Sequence, residues 1–228
     1  MATKSKSAKR PSKGTKKESP DCTELLVLEL QEIHNAESQL ARAIPRFVKA
    51  AESEKLQQML QTRLEQGEQL IQDIETALEE MEQSPGRKKN VAAEGLLNDM
   101  REHIQEIEVG PALDAVLIAA IQKTEHYCIA AWGTARSLAQ ALGNKTTVKA
   151  MERALKEGRK LDEQLTQLAE QEITPQLLAQ EEEDEEEEDL DADEAGEGSE
   201  NEEEEEGEDE AKPSRSRRGS GSERRAPN

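Results

Sequence analysis

The sequence predicts an all-α fold: four long helices in two antiparallel hairpins, with one long crossover between the hairpins that carries a short helix. Three observations predict it. Apolar residues recur at spacings of three and four through most of residues 22–172, no segment alternates with a period of two, and the breaks between periodic segments are very unequal in length.

The first helix, over about 22–51, repeats at Leu26, Leu30, Ile33, Glu37, Leu40, Ile44 and Phe47, with Pro45 expected to bend it or mark a local break. The second, over about 53–82, opens at Ser53 as its N-cap. It runs through Leu56, Leu60, Leu64, Gly67, Ile71, Ile74, Leu78 and Met81 before Ser84-Pro85-Gly86 stops it. A shorter helix over about 91–107 precedes Gly110-Pro111. The third long helix, over about 111–142, is apolar on much of its circumference, as a helix buried against several neighbours should be, and ends at Gly143-Asn144. The fourth, over about 146–172, repeats at Val148, Met151, Leu155, Gly158, Asp162, Leu165 and Ala169, with Pro175 just beyond. Short breaks make antiparallel neighbours, whereas the 28 or so residues between the second and third long helices are enough to cross the bundle's length. Two hairpins joined by one such crossover is the ferritin-like arrangement. The bundle is placed at 21–175.

The ends differ in kind. Residues 1–20 hold seven Lys and Arg against Glu18; residues 181–210 hold 22 Asp and Glu and no Lys or Arg; residues 211–228 hold six basic residues against Glu223. Neither end carries enough apolar surface to offset chain entropy. Residues 1–20 are therefore expected to be a disordered basic tail, and 176–228 a disordered tail that is acidic over 181–210 and then rich in Arg, Ser and Gly. Of the whole chain's 228 residues only 1% are aromatic, and the net charge is −21, most of it from the acidic run. No apolar run is long enough to span a bilayer, and the basic start has no apolar stretch behind it to make a secretory signal. Cys22 and Cys128 lack metal-type spacing and suit two reduced thiols in the cytoplasm.

The anomaly is charge inside the apolar stripes. Glu37 takes a core step between Ile33 and Leu40, Glu125 lies in the row Ile118, Ile121, Cys128 and Trp132, and Asp162 shares a register with Leu155 and Leu165. Glu65 and Glu68 form an i, i+3 pair beside the second helix's stripe. Unpaired buried carboxylates are costly, and acidic groups converging from four helices need cations between them. Hard oxygen ligands on facing helices suit iron or manganese, in a dinuclear centre if the set is complete. The bland alternative for each is a stripe-edge carboxylate that reaches water or pairs with Lys or Arg. His34, His103 and His126 read as structural or surface histidines.

The segment Leu117 to Tyr127, with Ile129-Ala130 and Gly133 to Arg136, resembles the ferritin-like YciE/YciF family of bacterial stress proteins. Glu29-Leu30, Glu32-Ile33, Ala36-Glu37, Leu64-Glu65, Glu94-Gly95-Leu96 and Asp162 with Leu165, Leu168 and Ala169 extend the likeness over about 22–173. The resemblance implies a ferritin-like bundle, usually a homodimer, with a dimetal centre, for which the ligands read from the registers above are Glu37, Glu65, Glu68, Glu125 and Asp162. Three positions depart from the pattern: Glu68 stands where a His of an E-x-x-H pair is expected, and Cys128 and Gly158 stand where relatives have Glu.

Two functions follow from different classes. One is a stress-associated metal protein that, if an enzyme, performs redox chemistry of iron or manganese with oxygen or peroxide. The other is a metal-free helical interaction module whose acidic run binds basic partners. The basic ends lack aromatic interleaving and lie on a strongly acidic chain, which argues against nucleic acid. Nothing resembles a phosphate-cradling Gly loop, a nucleophile motif or H-E-x-x-H.

Overall fold

In a computed structural model of the chain, residues 19–182 are described, and all regular structure among them is helical. Five helices run in order: α1 (Cys22–Ala50), α2 (Glu54–Glu80), α3 (Val91–Glu106), α4 (Pro111–Ala141) and α5 (Lys145–Leu168). Five residues of π-helix, Ala169–Ile173, follow α5, and helix resumes over 174–182. The helix therefore runs past the expected end of the bundle at 175. The tails expected to be disordered lie otherwise outside the described residues. Among the described helices none is long and apolar enough to cross a membrane.

Local chemistry fixes the ends. Asp21 and Glu24 form a reciprocal capping box at the start of α1, and Ser53, as expected, caps α2 by accepting from the amide of Leu56 at 3.3 Å. Pro45 lies exposed within α1, and the helix continues through it. At the end of α4, Gly143 takes a positive φ of 69°, so that the amides of Gly143 and Asn144 turn back to the carbonyls of Gln140 and Ala139. Asn144 then caps α5 by accepting from the amide of Thr147 at 3.0 Å.

The four long helices pack as a ring, α1 on α2, α2 on α5, α5 on α4 and α4 on α1. Direction follows from the contacts at one end. Asp114, in the first turn of α4 and 1% exposed, accepts from the backbone amides of Glu52 (3.0 Å) and Ser53 (2.7 Å) in the α1–α2 turn. Lys55, opening α2, pairs with Glu172 beyond α5. So α2 and α4 start at the same end, and each helix is antiparallel to both of its ring neighbours. The crossover runs the bundle's length, with α3 packed on α1 and α4. Asn90 seats α3: its side chain caps the amide of Ala93 and donates to the hydroxyl of Tyr127 on α4 (2.6 Å), while its amide donates to Asn35 on α1 (2.8 Å).

The apolar interior is split in two. One cluster gathers Leu40 to Phe47 of α1, Leu56 and Leu60 of α2, Leu113 to Ile121 of α4 and Leu161 to Leu168 of α5. The other gathers Leu26 to Ile33, Leu70 to Leu78, Cys128 to Ala139 and Ala150 to Leu155. The gap between them falls at residues 34–39, 61–69, 122–127 and 156–160, one level on all four helices.

Asp114 ties three elements through two part-buried, charge-assisted bonds. We expect Asp114→Ala to lower unfolding free energy by about 3 kcal/mol in urea titration, and Asp114→Asn, which retains one acceptor, to lower it by about half as much.

Candidate functional site

Each helix reaches the polar level with a different residue. Glu37 arrives from α1 and Glu125 from α4, each 1% exposed or less as whole residues, and between them stands Arg63 from α2, 3% exposed. The Arg63 Nε donates to Oε1 of Glu125, and Nη2 donates to Oε1 of Glu37 at 3.0 Å. The guanidinium carbon lies 5.6 Å from the ring centroid of Trp132. From α5 comes only Gly158.

Two glycines make room. A Cβ on Gly67 would lie 2.8 Å from Arg63 Nη1 and 3.0 Å from Glu37 Oε2; one on Gly158 would lie 2.6 Å from the Trp132 ring and 3.1 Å from Glu125 Oε2. The Trp132 ring thus takes the space a larger residue at 158 would need. The volume left beside Arg63, Trp132 and Gly158 is about 10 Å³, roughly the room of one water.

Burial alone would lower the Arg63 pKa, but the carboxylates of Glu125 and Glu37 reverse this and hold it well above its ordinary value. Glu125 moves the other way. Burial raises its pKa above the ordinary 4.5, Arg63 opposes that rise, and Glu37 adds to it. The Cys128 thiol is pushed well up, first by burial and then by Glu37 and Glu125, which keeps it neutral. One guanidinium faces two carboxyl groups: Oε2 of Glu37 lies 3.0 Å from Arg63 Nη2, whereas Oε2 of Glu125 is buried without a donor.

Of the five residues expected as metal ligands, Glu37 and Glu125 are brought together, but across a cation supplied by the chain. Glu65 and Glu68 lie exposed on α2. Asp162 falls one position beyond the buried Leu161, with its side chain 27% exposed; it accepts from Gln122 (3.0 Å) and lies 3.1 Å from His126 Nε2. His34 meets Glu75 at 2.9 Å, and His103 has Asp99 at 3.7 Å. Among the described residues no three His, Cys, Asp or Glu side chains gather where they could hold one ion. As arranged, this donor set does not fit a dimetal group.

The α2 stripe expected from the sequence takes Leu64 and so omits Arg63. The buried positions are Leu56, Leu60, Arg63, Gly67, Leu70 and Ile74, an unbroken alternation of four and three. That spacing pointed to Arg63; its charge hid it.

A family model described as "Domain of unknown function (DUF892)" matches residues 21–178. Protein YciF of Escherichia coli (strain K12) is 39% identical over 141 residues, 61% of this chain and 85% of that protein. The crystal structure of the E. coli stress protein YciF matches with a TM-score of 0.63 at 36% identity, over 66% of this chain and 96% of that one. YcfI of Rhodopseudomonas palustris, provisionally described as a structural protein, matches with a TM-score of 0.61 at 29% identity, over 64% and 94%.

Removing Arg63 alone strands two carboxylates. We expect Arg63→Met to cost about 3–5 kcal/mol in denaturant unfolding, and Glu37→Gln with Glu125→Gln in the same chain to recover most of it. Glu125, its pKa raised on folding, binds its proton more tightly in the folded chain than in the unfolded one. Its contribution to stability is whole below pH 4.5 and is lost as pH rises through the raised value. A Glu125→Gln chain should therefore gain stability relative to wild type between pH 4.5 and pH 7, read by urea melts at both.

Proposed function

The chain belongs to the family described as "Domain of unknown function (DUF892)", and we propose that it is a metal-free helical scaffold, a non-enzymatic member of a stress-associated group. The observation that carries this reading is Arg63 standing between Glu37 and Glu125. A bundle that collects carboxylates at its middle needs positive charge there, and this chain supplies it covalently. Glu65 and Glu68 point to solvent, Cys128 is a neutral thiol, and the Trp132 ring fills the space over Gly158. The E. coli relative is named a stress protein, and the R. palustris neighbour is provisionally called structural; both fit a scaffold. The scaffold's working surface, in this reading, is the run 181–210 with its 22 acidic residues, which captures basic protein partners through salt-sensitive contacts.

A second reading, iron or manganese redox chemistry with oxygen or peroxide, draws on one observation: the donorless Oε2 of Glu125. It requires the Arg63 guanidinium to leave and exposed α2 carboxylates to turn inward.

Metal analysis separates the two. Protein purified without a chelating tag and loaded anaerobically with ferrous iron, or with manganese, should hold well under one ion per chain and melt at an unchanged temperature. One or two ions per chain with a raised melting temperature would establish the metal reading instead. Deleting 181–228 should abolish retention on poly-lysine at low salt, and retention at wild-type strength would remove the role given to the acidic run.

A further inference from the structure

Residues 21–182 hold 17 Lys and Arg against 29 Asp and Glu, yet six of those 17 fall within residues 145–160, where only Glu152 and Glu157 oppose them. The first two-thirds of α5 is thus a basic surface on an acidic body. Part of it borders a groove of about 500 Å³ between α4 and α5.

The groove has an order. Along α5, residues 152, 155, 156, 159, 160 and 163 follow helical spacing on one face and read Glu, Leu, Lys, Arg, Lys, Glu. Across from them stand Gly133 and Arg136 of α4. Four cations, Lys156, Arg159, Lys160 and Arg136, occupy the middle, with a carboxylate at each end of the α5 face. Among the described residues Lys156, Arg159 and Lys160 form no ion pair. Arg136 reaches Glu152 only at 3.7 Å, and its buried Nε has no acceptor. Gly133 is the second independent feature. Glycine inside a helix costs about 1 kcal/mol relative to alanine, and here no neighbour requires it: an added Cβ would meet nothing within 4 Å. What the missing side chain does provide is depth beside Arg136.

We propose that this groove binds a compact oligophosphate, a di- or triphosphate group either free or carried on a nucleoside. Size and sign select that ligand. The three α5 cations lie within four residue-to-residue steps, about 6 Å of helix rise, which matches two or three linked phosphates. An extended polyanion would run past Glu152 and Glu163 onto an acidic body and be repelled at both ends. A compact one centred on Lys156, Arg159 and Lys160 meets more cations than carboxylates, and the Arg136 fork, only 3.7 Å from Glu152, supplies paired donors that phosphate oxygens accept. The site is independent of the Arg63 layer and of the reading built on it.

The experiment is calorimetric titration of the full chain with inorganic tripolyphosphate and, separately, with ATP, at 50 mM and 200 mM salt. Saturable one-site binding of tripolyphosphate is expected, weakening several-fold at the higher salt. Lys156→Gln with Arg159→Gln should weaken it tenfold or more, and Gly133→Met, which fills the floor, should do the same while removing no charge. The double variant should keep wild-type helicity and melting temperature, and Gly133→Met, which removes a glycine from the helix interior, should keep the helicity and melt at or above wild type. Tighter ATP binding would assign a nucleoside-borne ligand, and equal affinity the oligophosphate alone. Absence of tripolyphosphate binding to the wild-type chain overturns the proposal. So does wild-type affinity in the folded double variant, or tighter binding of a poly-glutamate peptide or a single-stranded oligonucleotide than of tripolyphosphate.

Discussion

One buried cation organises this bundle. Arg63 holds Glu37 and Glu125 at the level where two apolar clusters meet, and every helix yields something to the arrangement. α1 and α4 give carboxylates and α2 gives the guanidinium. Trp132 lies against that group, and Gly67 and Gly158 give up their side-chain volume. Buried ion pairs contribute little net stability, since desolvation offsets most of the attraction. Their effect is on which packing is allowed. Sliding α2 by one turn would bring Leu60 or Gly67 opposite two carboxylates and leave both without a counter-charge, so the layer fixes the mutual register of three helices.

The Asp114 clasp works on the same principle at the bundle's end. A buried carboxylate is tolerated because two backbone amides that would otherwise lack partners point at it. The α1–α2 hairpin and the start of α4 are thereby held together although 61 residues of chain separate Ser53 from Asp114. With Asn90 seating α3 between α1 and α4, the long crossover is fastened at both ends by polar contacts rather than by apolar burial alone.

Helix periods, the Ser53 cap, the Gly143-Asn144 stop and the unequal connections were all readable, because each is a local signal that tertiary packing reinforces. The interior charges were half readable. Glu37 and Glu125 announced themselves by sitting in apolar rows, and both are buried. Their counter-ion escaped notice because Leu64, adjacent to Arg63, fits a hydrophobic stripe almost as well and is itself half-buried. Asp162 failed by a single position: Leu161 takes the inward step, and the carboxylate reaches Gln122 and His126 at the edge. A one-residue change rotates a helix face by 100°, enough to carry a side chain from interior to rim. Glu65 and Glu68 lie beside the α2 stripe rather than in it, and both are exposed. Asp114 gave no sign at all, since its partners are backbone amides, which no side-chain pattern records.

The Arg63 layer also separates two chemistries within one architecture. A chain that trades its internal guanidinium for a bound ion cannot do so one substitution at a time. Losing the arginine first leaves two buried carboxylates facing each other without a counter-charge, and admitting an ion first finds the position occupied. The passage has to go through a neutral intermediate, with at least one of the two glutamates replaced by an uncharged residue, or else take several changes together. Such a ridge keeps an arginine-centred lineage where it is, whatever its outer surfaces evolve to do.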